Sequence, residues 1–377
     1  MTEIEIGLSK RARRTYSLDD VALVPSRRTR DAEDVDTSWK IDAFTFDTPL
    51  IAAPMDSVMS PATAIALGKL GGLGVLNLEG LWTRYEDPQP LLDEITSIKI
   101  TDPVAATRRM QEIYAEPIKA ELITKRLSEI RESGVIVAGS LTPQNTQEFY
   151  ETVVSAGVDF FVIRGTTVSA EHVSGNREPL DLKKFIYELD VPVIVGGVAG
   201  FTPALHLMRT GAAGVLVGFG GGSSKTNRRG LGIQAAMATA IADVAEARSR
   251  YLDESGGRYV QVIADGELGR SGDLVKALAL GADALMIGAP LARAEEAPGK
   301  GLYWGNEAHS KDFPRGIRTD LGTVGSLEEV LYGPSHHTDG TSNIVGAIKR
   351  SMATCGFTDL KSFQRSEVVL SGYHNSL

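Results

Sequence analysis

Short apolar runs alternate with longer amphipathic stretches along most of this chain. Each run is rich in Val, Ile, Leu and Ala and is followed by Gly, Pro or a polar residue, which is typical of buried strands. The runs cover residues 50–54, 73–77, 135–140, 158–165, 192–197, 214–222, 259–266 and 284–290. The pair Ser60-Pro61, an N-cap followed by proline at the first helical position, opens a helix between the first two runs.

The stretches between the later runs have helical periodicity and end in caps or glycines. They predict helices over about 104–132, 143–157, 201–211, 228–252 and 270–281. Repeated β-then-α units predict a (β/α)8 TIM barrel, with a doubly wound open sheet as the alternative. We expect residues 1–377 to form one domain, with an N-terminal extension over 1–45 and an irregular lid or flap over 296–342.

Composition and charge narrow the function classes. Lys+Arg number 39 and Asp+Glu 48, a net charge of −9, which has the wrong sign for attraction to nucleic acid or an anionic membrane. The first twenty residues lack the apolar core of a signal peptide, and no run reaches the roughly 18 apolar residues of a membrane span. Cys355 is the one cysteine, so neither an internal disulfide nor a multi-thiolate metal site is available. We therefore expect a cytoplasmic protein without a metal.

Candidate chemistry lies where the predicted strands end, because barrel enzymes carry their sites at the C-terminal ends of the strands. Gly266 and Gly288 lie at the ends of the seventh and eighth runs and would let backbone N–H groups approach a phosphate, although glycines also simply end strands. The loop GFGGGSS at 218–224 favours close approach of a ligand or ion. Asp265 ends a strand at the same edge, where it suits a ribose diol or caps the next turn.

Three segments resemble the IMP dehydrogenase and GMP reductase family, and the likeness covers most of the chain. They are SLDDVALVPS at 17–26, PLIAAPMDSVMSPATAIALGKLGGLGVL at 49–76 and VIADGELGRSGDLVKALALGADALMIGAPLARAEEAPG at 262–299. The interval between the second and third strands is too short for the regulatory CBS pair, so the chain is similar to the short branch found in actinobacteria. The resemblance implies an NAD-linked oxidoreductase of GMP biosynthesis that converts IMP to XMP. It also implies a purine nucleotide ligand (IMP, XMP or GMP) and a homo-oligomer, commonly a tetramer in this family.

The same resemblance assigns site residues. Asp265 would hold the ribose hydroxyls, and Met55 would pack on the purine. The phosphate would be bound by Ser223, Glu267 (through its amide), Gly288 and Ala289, and Gly266 would also belong to the substrate-binding residues. The cofactor side would comprise Arg164, Gly165, Thr166, Gly218 and Gly220. The catalytic candidates are Lys225, Thr226 and Arg318.

The chain departs from the family at its nucleophile. Family members use a cysteine in a loop of pattern G-x-G-x-G-S-x-C-x-T, and Lys225 stands at that position here. An ordinary lysine, with a pKa of about 10.4, is almost fully protonated at neutral pH. Its ammonium would more readily replace the monovalent cation that the family loop binds. Cys355, near the end of a C-terminal helix, is best explained as a small buried apolar residue.

Two further positions differ from the family pattern. The fourth strand of dehydrogenases ends in an Asp near the nicotinamide ribose, whereas this strand ends in Arg164, which would meet either an anionic group or an ion-pair partner. The family's flap carries an Arg-Tyr pair that residues 317–342 lack. Candidates for water activation there are Arg318, Tyr332, His336 and His337, and the two adjacent histidines suit a solvated turn better than a metal site.

Three function hypotheses follow. The first is an IMP dehydrogenase-type oxidoreductase that works with an altered loop. The second is a catalytically silent purine-nucleotide-binding protein, or the partner of an active paralogue. The third is a Schiff-base aldolase that uses Lys225, although a glycine-rich loop is a poor place to desolvate an amine.

Overall fold

Eight parallel strands form one sheet in the computed structural model, which describes residues 3–175, 178–220, 227–311 and 318–371. The strands are β1 (Leu50–Ala52), β2 (Val75–Asn77), β3 (Ala138–Leu141), β4 (Phe160–Arg164), β5 (Val193–Val198), β6 (Gly214–Val217), β7 (Gln261–Ala264) and β8 (Ala284–Ile287). Their order in the sheet is β1-β8-β7-β6-β5-β4-β3-β2. The two end strands meet, since Ala52 N donates to Leu73 O (2.8 Å) and Leu73 N to Leu50 O (3.0 Å). The predicted (β/α)8 barrel is confirmed, and the open sheet is excluded.

Helices surround the barrel and cover strands whose side chains are almost wholly buried, as expected for a parallel sheet packed on both faces. They are α1 (Pro61–Lys69), α2 (Gln89–Ser97), α3 (Pro103–Ile113), α4 (Ala120–Glu132), α5 (Pro143–Ser155), α6 (Leu182–Glu188), α7 (Phe201–Met208), α8 (Met237–Glu254), α9 (Ser271–Ala279), α10 (Ala289–Ala292), α11 (Leu327–Tyr332), α12 (Ile344–Thr354) and α13 (Leu360–Phe363). The helix α1 begins as predicted, because the Ser60 side chain accepts a hydrogen bond from Thr63 N.

Two predicted helices are wrong in extent. The region 104–132 contains two helices, α3 and α4, separated by a turn that includes Pro117, which cannot continue a helix hydrogen-bond ladder. The helix predicted over 228–252 begins only at Met237. Residues Asn227–Leu231 form a short π-helix, which ends before Gly232, whose φ is 69°.

A hairpin closes the N-terminal end of the barrel. Its strands, Trp39–Ile41 and Phe44–Phe46, pair in antiparallel register. Phe44 packs on Phe160 at the start of β4 (ring centroids 4.8 Å apart), and Trp39 Nε1 donates to Gln261 Oε1 at the start of β7 (3.0 Å). Because the hairpin covers this end, the barrel is open at the C-terminal ends of its strands. This opening is called the mouth below.

The segments outside the repeats pack on the barrel as short elements. Glu3–Gly7 and Lys10–Arg13 form an exposed hairpin, and Val21–Leu23 pairs with Val368–Leu370. Leu302–Tyr303 pairs with Thr319–Asp320 beyond β8. Among the described helices, none is long and apolar enough to cross a membrane.

Candidate functional site

A cavity of about 860 Å³ opens at the C-terminal ends of β4, β6, β7 and β8. Its lining brings together seven of the residues singled out from the sequence. They are Arg164, Gly220, Asp265, Gly266, Glu267, Gly288 and Ala289. Barrel closure explains this grouping, since strand ends that are far apart in sequence share one rim.

The turns after β7 and β8 bring backbone close to the cavity. Gly266 has φ of 147° and Glu267 has φ of 56°, a left-handed conformation that is uncommon for a residue with a side chain. A Cβ on Gly288 would lie 2.9 Å from the Tyr303 hydroxyl, so only glycine fits without a shift. These turns can present N–H groups to an anion such as a phosphate.

Tyr303 is a lining residue that the sequence analysis missed. Burial raises the pKa of its hydroxyl, so the group stays protonated and can donate a hydrogen bond into the cavity. The sequence did contain a signal: Tyr303 and Trp304 are adjacent aromatic residues in a charge-rich segment. Aromatic residues are usually buried, as both are here, so the pair indicates that this segment packs against the protein.

Arg164 and Asp265 form a bidentate ion pair at the mouth. Arg164 Nε lies 2.8 Å from Asp265 Oδ2 and Nη2 lies 3.3 Å from Oδ1. Burial opposes the charge of Arg164, but Asp265 and, with smaller effects, Glu307 and Tyr303 raise its pKa above the ordinary value. Of the two alternatives for Arg164, an anionic ligand or an ion-pair partner, the structure shows the ion pair.

A buried polar cluster holds the segment around Trp304 against the rim. Asp56 follows β1 and accepts hydrogen bonds from Tyr114 Oη (2.7 Å) and Leu81 N (2.9 Å). Trp304 Nε1 donates to Tyr114 Oη at 3.2 Å, and the Tyr114 ring stacks on His309 with centroids 3.7 Å apart. The cluster ties the helical insert after β2 to the segment that supplies Tyr303.

Burial sets the protonation of this cluster. It raises the pKa of Asp56, although the hydrogen bonds from Tyr114 and Leu81 oppose the shift. It lowers the pKa of His309 to about 3, helped by the positive charge of Arg84. His309 is therefore neutral at physiological pH.

Several predicted site residues lie near the cavity without lining it. Met55 is buried, with its Cε 3.3 Å from the position of a Cβ on Gly305. Gly165 exchanges backbone hydrogen bonds with Gly196 and Gly197, and Thr166 follows it. Gly218 N donates to Val198 O at 2.7 Å. Predicted residues outside the described ranges are Ser223, Lys225 and Thr226.

The candidates for water activation are not gathered at the cavity. Arg318 is buried and donates to the carbonyls of Ile95, Ile98 and Lys99, which holds the loop after α2. Tyr332 donates to Leu70 O at 2.6 Å. His336 and His337 lie on an exposed turn.

The single thiol also lies outside the cavity. Cys355 caps the C-terminal end of α12, where it is 5% exposed, and burial raises its pKa. The described lining therefore contains no cysteine.

Comparison with known proteins agrees with this geometry. Residues 15–313 match the IMP dehydrogenase / GMP reductase domain. An uncharacterized oxidoreductase of Mycolicibacterium smegmatis is 51% identical over 367 residues, covering 96% of this chain and 98% of the relative. The inosine-5'-monophosphate dehydrogenase of Methanocaldococcus jannaschii is 24% identical over 94% of this chain and 92% of its own. A crystal structure of an IMP dehydrogenase/GMP reductase-like protein from Corynebacterium glutamicum superposes with a TM-score of 0.93 at 51% identity and covers 98% of both chains. On sequence and structure alike, this chain belongs to the IMP dehydrogenase / GMP reductase family.

Proposed function

We propose that the mouth cavity binds a purine nucleoside 5′-monophosphate and that the chain oxidises IMP to XMP. The observation that carries the proposal is the convergence of Asp265 with the turns at Gly266-Glu267 and Gly288-Ala289 on one cavity. A carboxylate suits the ribose diol, and backbone N–H groups suit the phosphate. Tyr303 would add a hydroxyl donor beside Gly288.

The reaction balances without a protein thiol. Overall, IMP, NAD⁺ and water would give XMP, NADH and a proton, with the oxygen of water bonded to C2 of the purine in place of the hydrogen that leaves as hydride. NAD, when bound, supplies the hydride acceptor. This chain's residues would bind and orient the nucleotide, and Lys225 would not act as the nucleophile.

The described residues fit the nucleotide better than the dinucleotide. Arg164 ends β4, where the resemblance to dehydrogenases implies an Asp near the nicotinamide ribose, and its guanidinium is bound to Asp265. This ion pair, together with the burial of Cys355, favours a second candidate function, a purine-nucleotide-binding protein without turnover. A homo-oligomer is part of either proposal on family grounds.

The deciding experiment measures NADH formation at near-stoichiometric enzyme with saturating IMP and NAD, followed by identification of the nucleotide product. We expect XMP and NADH in equal amounts. A rise in melting temperature with IMP but no NADH would favour the silent binder, since ligands that bind the native state stabilise it. If neither NADH nor a rise in melting temperature is observed, both candidate functions are rejected.

Lys225→Cys tests the loop separately. A restored thiol should form a covalent adduct with a 6-chloropurine ribonucleotide, detected by mass spectrometry, whereas the wild type should form none. If the Lys225 ammonium replaces a monovalent cation, potassium should not change the melting temperature of the wild type. A potassium-dependent rise would contradict that substitution.

A further inference from the structure

Arg164 reaches across the mouth of the barrel. It ends β4, whereas Asp265 follows β7, and β5 and β6 lie between them in the sheet. Gly196, Gly197 and Gly218, at the ends of these two intervening strands, contribute no side chain to this part of the mouth. The long arginine side chain can therefore meet a carboxylate that lies three strands away.

The ion pair uses both acceptors of Asp265. One guanidinium nitrogen contacts each carboxylate oxygen, at 2.8 and 3.3 Å. The two side chains are 22% and 6% exposed, so the pair is largely withdrawn from water. Such a bidentate pair, in which two nitrogens of the planar guanidinium form a fork around the carboxylate, is among the stronger hydrogen-bonded pairs in proteins. A ribose diol bound to Asp265 would need the same two oxygens.

Two further groups lie around Arg164. The charge of Glu307, like that of Asp265, raises the pKa of Arg164. The backbone of Gly220 packs against the guanidinium, since a Cβ there would collide with Nη2. Displacement of the guanidinium from Asp265 would therefore also change its contact with the backbone of Gly220.

We propose that Arg164 is an internal competitor of the ribose: it occupies Asp265 when no nucleotide is bound, and a ribonucleotide must displace it. The proposal rests on the nucleotide binding proposed above. Because the gain from the diol hydrogen bonds is offset by the lost ion pair, the wild type should discriminate little between nucleotides with and without ribose hydroxyls. Arg164 is thus a specificity-determining residue for the sugar.

The test measures dissociation constants by calorimetry for IMP and for 2′,3′-dideoxyinosine 5′-monophosphate. In Arg164→Gln we expect IMP to bind about tenfold more tightly, the scale of one charge-assisted hydrogen bond, and the dideoxy nucleotide to bind as in the wild type. Arg164→Lys keeps the charge but loses the fork, so its IMP affinity should be intermediate. Arg209→Gln is the matched control, because Arg209 makes an equivalent bidentate pair with Glu254 on the surface.

Combining Arg164→Gln with Asp265→Asn should abolish the gain for IMP. Weaker IMP binding in both Arg164 variants would overturn the proposal, since it would make Arg164 a ligand contact while nucleotide binding itself stands. Equal tightening of both nucleotides would also overturn it, because competition for the diol would not be the cause. Absence of binding by every protein, with native circular dichroism retained, would reject the proposed function and this inference with it.

Discussion

Removing the Tyr114 hydroxyl should destabilise the protein and loosen the segment that supplies Tyr303. In the native structure this hydroxyl donates to Asp56 Oδ2 at 2.7 Å and accepts from Trp304 Nε1 at 3.2 Å. Asp56, Tyr114 and Trp304 are all nearly inaccessible to water. Tyr114→Phe keeps the ring, so its effect isolates these two hydrogen bonds.

The magnitude follows from the groups left behind. Losing a hydrogen bond to a buried carboxylate costs about 1.5–3 kcal/mol, and leaving the indole N–H without its partner costs about 1–3 kcal/mol. Because neighbouring side chains relax, we expect a loss of about 3 kcal/mol in the free energy of unfolding.

The pH dependence has a definite sign. Burial raises the pKa of Asp56 in the folded state, and the Tyr114 hydrogen bond limits that rise. A carboxyl whose folded pKa is raised contributes stability that is present below its unfolded pKa and is lost as pH rises through its folded pKa. Since Tyr114→Phe raises the folded pKa of Asp56 further, its destabilisation should be larger at pH 8 than at pH 5.

Urea unfolding followed by circular dichroism at both pH values provides the assay. Tyr150→Phe is the matched control, since the Tyr150 hydroxyl contacts only Glu151 on the surface among the described hydrogen bonds, and its effect should stay within about 0.5 kcal/mol. The reasoning is refuted if the two variants lose the same stability. It is also refuted if the effect of Tyr114→Phe shrinks as the pH rises.

Three other substitutions probe the same structure. The folded pKa of His309 is depressed to about 3. Acidification from pH 7 to 5 should therefore lower the free energy of unfolding of the wild type by up to about 2 kcal/mol, because the histidine is protonated in the unfolded chain only. In paired urea titrations His309→Phe should lose less stability over that range. Gly220 has φ of 63°, and a Cβ there would collide with the Arg164 guanidinium, so Gly220→Ala should lower the melting temperature and disturb the ion pair. Gly7→Ala is the control and should do neither, because no atom lies within 4 Å of a Cβ at Gly7. Asp283→Asn should cost about 3–5 kcal/mol in urea unfolding, because Arg248 lies 2.6 Å from that carboxylate in a buried ion pair; a loss below about 1 kcal/mol would contradict this estimate.

The barrel was predictable because its signals are local. Each buried strand is a short, mostly apolar run, and β4, β6, β7 and β8 are directly followed by Gly165, Gly218, Asp265 and Gly288. Local signals failed where a single residue interrupts a periodic stretch: Pro117 divides one predicted helix, and Gly232 delays another. A periodic pattern is judged over many residues and hides one interruption, whereas a single residue can end a helix.

The contacts between side chains at different strand ends depend on how the barrel closes. Arg164 and Asp265 are 101 residues apart, and only closure of the barrel brings the guanidinium to the carboxylate. Tyr303 reaches the cavity because Trp304 and Tyr114 hold its segment against the rim. The strands, the helices that start at clear caps and the residue types at the mouth could thus be predicted from local patterns in the chain. The partner of each side chain depended on packing between distant segments, which no local pattern encodes.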